Sequence, residues 1–120
     1  MDLRLSLKRK WFEMTAAGIK TEDYREINTY WIQRLSPVFS WDINKYPLKL
    51  NEYQDVLNKG SMKPKPFDHN IMTLGYPSHD QKERIIKFKH AGIEIGYGNP
   101  EWGAEPNKLY FIVKHGERVS

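Results

Sequence analysis

The stretch Gly18-Ile19-Lys20-Thr21-Glu22-Asp23-Tyr24-Arg25 decides how the rest of the chain is interpreted. Gly18 stands where a helix would end in the left-handed conformation, which glycine adopts without a Cβ penalty. The next residues alternate, so in a strand Thr21, Asp23 and Arg25 would point to the same face. A hydroxyl, a carboxylate and a guanidinium on one face indicate an ion-pair network or a ligand cleft, with Lys20 at its entrance.

The segments on either side of this stretch have clear periodicity. Leu3, Leu5 and Leu7 alternate with polar residues, which predicts a half-buried strand. Residues 8–17 follow a helical pattern, and the motif strand is expected over 21–26. Asn28 is a good N-cap for a second helix that stops by Pro37.

The second half of the chain predicts more strands after an irregular region. Four of the seven prolines lie within 36–66, which we interpret as an insertion with one helix at Leu50, Tyr53 and Leu57. Strands are predicted over 67–74, 83–90 and 93–97, with a bend at Ala91-Gly92, and a flexible loop over 96–106. Residues 109–114 are apolar on both faces, which favours a central, covered strand.

The motif resembles that of the ASCH domain, a family in the PUA-like superfamily. That family carries Gly-x-Lys-x-x-Glu-x-Arg after its first helix, and this chain has Gly18, Lys20 and Arg25 in register, with Asp23 in place of the Glu. The likeness includes the first strand and helix and resumes from about Phe67, where several segments look like those of short, often phage-encoded members. The resemblance implies an α+β fold: a PUA-like small β-barrel with covering helices and one helical insertion, formed by residues 1–120 as a single domain.

Composition narrows the class of protein. The 120 residues are 39% hydrophobic and include no cysteine, so neither a disulfide framework nor a thiolate metal site is expected. No stretch approaches the roughly 20 apolar residues of a membrane-spanning helix. The first residues lack the apolar centre of a signal peptide, and we expect a cytoplasmic protein with no membrane partner.

Metal and cofactor sites are not predicted. The four histidines, at 69, 79, 90 and 115, lack the spacing of a ligand set. The chain contains no nucleophile elbow, phosphate loop or dinucleotide fingerprint. We therefore expect neither a metal nor a cofactor.

The charge pattern points to an anionic partner. The net charge is +4, and a cluster of cations stands at Lys8, Arg9 and Lys10. Such a cluster can contact the phosphates of RNA, although a solvated surface accounts for it equally well. Trp102 stands in a loop rich in glycine and proline, where it would either stack on a base or anchor the loop.

Our hypothesis is a protein that binds RNA or a modified nucleoside or nucleotide. Its ligand cleft would comprise Lys20, Thr21, Asp23 and Arg25, with the loop of Trp102 over it. A phage accessory protein that binds another protein is a further alternative.

An enzyme on the same cleft is the remaining alternative. Relatives that resemble this pattern include amidohydrolases acting on acetylated cytidine and proteins described as ribonucleases. The resemblance to these amidohydrolases implies Lys20 as a catalytic residue. They have a threonine, rather than the Glu of the general family motif, at the position of Asp23, so the match breaks there. Either Glu101 or Glu105 would supply their distant carboxylate. A catalytic lysine must be neutral, but Asp23 would stabilise its ammonium form. In the ribonuclease hypothesis Asp23 would be the general base instead.

Overall fold

The computed structural model describes residues 1–35, 49–58 and 64–120. The described part is an α+β protein, which confirms the predicted fold class; the PUA-like barrel stays a prediction. Its elements are β1 (Asp2–Leu7), α1 (Arg9–Ala16), β2 (Glu22–Glu26), α2 (Thr29–Leu35), α3 (Leu50–Asn58), β3 (His69–Leu74), β4 (Ile85–Tyr97) and β5 (Leu109–Arg118). One 3₁₀ turn, Lys82–Arg84, precedes β4, and a second, Pro100–Trp102, follows it. None of these helices has the length and apolar character needed to cross a bilayer.

The five strands form one sheet in the order β1-β3-β4-β5-β2. β1 and β3 are parallel, with Leu5 opposite Met72, whereas β3 and β4 are antiparallel, with Met72 opposite Ile86. β5 lies between two other strands, and its residues from Tyr110 to Val113 are all buried. The expectation of a central, covered last strand is therefore confirmed.

The chain divides into two compact units. The first unit comprises Met1–Asp23, Pro66–Gly92 and Val113–Ser120, and the second comprises Tyr24–Lys65 and Ile93–Ile112. The expectation of a single domain over residues 1–120 stays a prediction.

The core of the first unit is built from the alternating face of its strands and one face of α1. Leu3, Leu5 and Leu7 are buried as predicted, and Phe12 of α1 is buried with them. Thr15 is fully buried too, and its hydroxyl donates to the carbonyl of Trp11 at 2.7 Å. Gly18 ends the helical segment at a φ of 76°, as its position in the motif predicted.

The second unit contains two of the helices. The side chain of Asn28 accepts a hydrogen bond from the backbone of Trp31 at 2.9 Å, which confirms the predicted N-cap of α2. Ile32 and Leu35 are buried, whereas Trp31 is partly exposed. α3 confirms the predicted inserted helix, and most of the rest of the insertion at 36–66 lies outside the described residues.

Several predicted boundaries differ from the structure. β3 begins at His69 rather than Phe67, and Thr21 precedes β2 rather than lying in it. The two strands predicted on either side of Ala91-Gly92 are one strand, because Gly92 takes up the bend at a φ of 124°. The segment predicted as a flexible loop contains the turn Pro100–Trp102, which is capped by the side chain of Asn99.

Candidate functional site

A chain of buried and half-buried polar side chains runs through the first unit. Lys20 and Asp23 are only 2% and 3% exposed, and the ammonium of Lys20 donates to Oδ1 of Asp23. Nε2 of His115 lies 2.7 Å from the other carboxylate oxygen of Asp23. Nδ1 of His115 lies 2.8 Å from Nδ2 of Asn70, whose Oδ1 is 2.7 Å from Nδ1 of His90.

The sheet brings these residues together. Asn70 of β3 stands opposite Phe88 of β4, and His90 is the next residue of β4 on the same face. His115 lies on β5, and its backbone N–H donates to the carbonyl of Thr21 at 3.0 Å. That bond holds His115 beside the start of β2, where Asp23 lies.

The partners determine where the protons of this network lie. Nδ2 of Asn70 faces the carbonyl of Lys114 at 3.0 Å, and a carbonyl can only accept, so the orientation of the amide is fixed. The second N–H of that amide then donates to Nδ1 of His115. Nδ1 of His115 therefore accepts this hydrogen bond, and its Nε2–H is donated to Asp23.

Two pKa shifts follow from the burial and charges of the network. Burial alone would raise the pKa of Asp23, but the hydrogen bond from His115 and the charge of Lys20 hold it below its ordinary value. The pKa of His90 is lowered, mainly because partial burial penalises the imidazolium. At neutral pH Asp23 is thus a carboxylate and His90 a neutral imidazole.

The geometry gives this network a structural role. Both ring nitrogens of His115 are used, and Lys20 also donates to the carbonyl of Glu22 at 2.5 Å. Two acceptors stabilise its ammonium form, whereas the amidohydrolase hypothesis needs a neutral amine. Because Lys20 and Asp23 are almost fully buried, little of either can reach a ligand in solution. Their roles as ligand contacts or catalytic residues stay predictions.

Ligand spacing within short segments does not identify His90, Asn70 or His115 as members of one site. A signal was nevertheless present in the strand periodicity. Each of the three continues the buried phase of its strand: His90 follows Ile86 and Phe88, His115 follows Phe111 and Val113, and Asn70 precedes Met72. A polar residue in a buried phase needs a partner, and these three supply partners to one another.

The other predicted site residues are exposed or lie in the second unit. Thr21 is exposed, as are Lys8, Arg9 and Lys10 at the start of α1. Within the second unit, the guanidinium of Arg25 lies 5.1 Å from the centre of the Trp31 ring. Trp102 is partly exposed in its 3₁₀ turn, and Glu101 and Glu105 are exposed.

A basic pocket of about 460 Å³ lies on the surface of the first unit. It is formed where β1 passes into α1, beside the end of β3 and the turn before β4. Three cations line it, Lys8, Arg9 and Arg84, with Ser6, Leu7, Leu74 and Gly75. The pocket therefore includes two of the residues that the sequence predicted to contact RNA.

The cations of this pocket are available to a ligand. Within the described part of the chain, no carboxylate lies within ion-pair distance of Lys8 or Arg84. Arg9 pairs with Glu13 at 3.5 Å, but both side chains are 64% exposed, and such surface pairs contribute little stability. The first turn of α1 contains no acidic residue either. The local charge of the pocket is thus positive.

No described cluster suits a metal ion. Among residues 1–35, 49–58 and 64–120, no three His, Asp or Glu side chains are grouped closely enough to hold one. The positive pocket and the polar network are thus the two candidate arrangements among the described residues.

Comparison with known proteins does not place the chain in a family. No family model, no curated protein and no solved structure matches it.

Proposed function

We propose that this protein binds the phosphate groups of RNA or of a nucleotide-sized ligand in the basic pocket. The observation that supports this function is the convergence of Lys8, Arg9 and Arg84 on one cavity of about 460 Å³. Pockets for small ligands have volumes of roughly 300–1,000 Å³, so a phosphate with part of its nucleotide would fit.

The chemistry of the three cations suits a phosphate. A guanidinium can donate two parallel hydrogen bonds to phosphate oxygens, and an ammonium adds a compact charge. Arg9 can exchange its exposed partner Glu13 for a phosphate at little cost, because that pair is weak. The net charge of +4 and the resemblance to ASCH domains favour the same class of ligand.

This proposal moves the ligand away from the Gly18–Arg25 motif. Lys20 and Asp23 then support the fold by tying the start of β2 to His115, while the exposed cations make the contacts. Lys8 and Arg9 keep the role that the sequence gave them, and Arg84 joins them.

The test is a titration of labelled single-stranded RNA at several salt concentrations. We expect affinity to fall steeply with salt, and a variant that loses one phosphate contact should lose about 0.7 from the logarithmic salt slope. Lys8→Ala and Arg84→Ala should each weaken binding and reduce that slope. Arg84→Lys should recover only part of the affinity, because an ammonium cannot make the paired contact.

The matched control is Lys89→Ala. Lys89 is an exposed cation of the same unit that does not line the pocket. Its removal changes the net charge as much as Lys8→Ala does, so it should leave most of the affinity in place. Absence of RNA binding at low salt, or equal losses for Lys89→Ala and Lys8→Ala, would contradict the proposed site.

A further inference from the structure

Tyr76 stands immediately beside the basic pocket and is almost completely exposed. Its exposed fraction is 96%, the highest among the large hydrophobic residues of the described chain. It directly follows Gly75, which lines the pocket, so its Cα lies about 3.8 Å from that of a lining residue. A water-exposed aromatic residue next in the chain to the lining of a pocket with three cations suits a stacking surface for a base.

The backbone beneath Tyr76 is held in place. The carbonyl of Gly75 accepts hydrogen bonds from the hydroxyl of Thr73 at 2.8 Å and from that of Ser6 at 3.2 Å. The N–H of Gly75 donates to the carbonyl of Leu7. Pro77 follows the tyrosine and restricts its backbone to extended conformations. The ring is thus projected from a fixed point, which lowers the entropy that binding would cost.

We propose that Tyr76 stacks on an unpaired base of a nucleic acid whose phosphate occupies the basic pocket. This inference rests on the proposed function and makes it more specific, because it names a single-stranded ligand. Bases in a duplex are already stacked on both faces and cannot lie against a protein ring without leaving the helix. Stacking tolerates any base, since every base has a π-face, so little sequence preference follows.

The experiment compares two probes on the full chain. One is a single-stranded oligonucleotide of six uridines, and the other is the same ribose-phosphate chain without bases. Tyr76→Ala should weaken binding of the uridine probe roughly 5- to 150-fold and leave the abasic probe unchanged. Tyr76→Phe, which keeps the ring, should bind both probes like the original protein, whereas Tyr76→Leu should behave like the alanine variant. A side chain that is 96% exposed can be replaced without loss of fold.

The outcomes separate this inference from the proposed function. Suppose that Lys8→Ala weakens binding of both probes. If Tyr76→Ala then weakens binding of neither probe, or weakens binding of both probes equally, stacking is overturned and the phosphate site stands. If Lys8→Ala weakens neither probe, or the uridine probe does not bind at low salt, the proposed function fails and the stacking inference fails with it. Selective loss of the uridine probe in Tyr76→Ala establishes the base contact.

Discussion

The replacement Asp23→Asn tests the buried network most directly. The side chains of Lys20 and Asp23 are 2% and 5% exposed, so their charges are shielded from water. Asparagine keeps the size of the side chain and removes its charge. The ammonium of Lys20 would then remain buried without the carboxylate that balances it.

The substitution also creates a conflict between donors. Whichever way the new amide turns, its NH₂ group faces either the ammonium of Lys20 or the Nε2–H of His115. Moving the proton of His115 to Nδ1 does not help, because Nδ1 faces the N–H of Asn70. Asn70 cannot turn either without losing the carbonyl of Lys114 and the bond from His90.

We expect Asp23→Asn to cost about 3–5 kcal/mol in the free energy of unfolding, the usual range when one partner of a buried pair is removed. Proteins of this size are stable by about 5–15 kcal/mol, so the variant would lose a large fraction of its stability. The control is Glu26→Gln in the same strand, where the pair with Lys108 has a carboxylate side chain that is 61% exposed. That exposed pair should contribute no more than about 1 kcal/mol.

Equilibrium unfolding in urea, analysed by linear extrapolation, measures both variants. A loss for Asp23→Asn that is no larger than the loss for Glu26→Gln would refute the reasoning. A second variant examines the cause. Adding Lys20→Met to Asp23→Asn removes the uncompensated ammonium, so the double variant should be more stable than the sum of the two single losses predicts.

Two further predictions concern the second unit and the response to acid. Gly98→Ala should destabilise the protein by about 1–3 kcal/mol in urea unfolding, because its Cβ would lie 2.6 Å from Ala104 and 2.9 Å from the ring of Tyr24. Gly96→Ala, whose Cβ would meet its nearest neighbour at 3.5 Å, should be tolerated, and equal losses for the two glycines would contradict the packing argument. Stability should also fall in two steps on acidification. The folded pKa of His90 is lowered, so below pH 6.5 the unfolded chain binds this proton first and the free energy of unfolding falls. The folded pKa of Asp23 is lowered too, so a second loss of stability follows below pH 3.8. Urea unfolding across pH should show the first step reduced in His90→Gln, and an unchanged profile in that variant would count against the assignment.

The elements that the sequence predicted correctly are those governed by neighbouring residues. Alternation of Leu3, Leu5 and Leu7 identified β1, because successive strand residues point to opposite faces. Gly18 and Asn28 marked helix ends through their own conformational and hydrogen-bonding preferences. The errors lay at element boundaries, where such local preferences are weak. Gly92 indicated a break between two strands, but it lies at a bend within the single strand β4.

By itself, the sequence determined the α+β class, the burial phase of most strands, the lack of cysteine in these 120 residues and the cationic start of α1. The tertiary structure alone decided which residues meet. His115 contacts Asp23 across 92 residues of chain and Asn70 across 45, and the basic pocket joins residues 6–9, 74–75 and 84. Local preferences act over a few residues, whereas these contacts depend on the order and register of the strands. The reason is physical: strand pairing is driven by burial of apolar area, which is non-directional and carries no information about which distant polar groups it brings together.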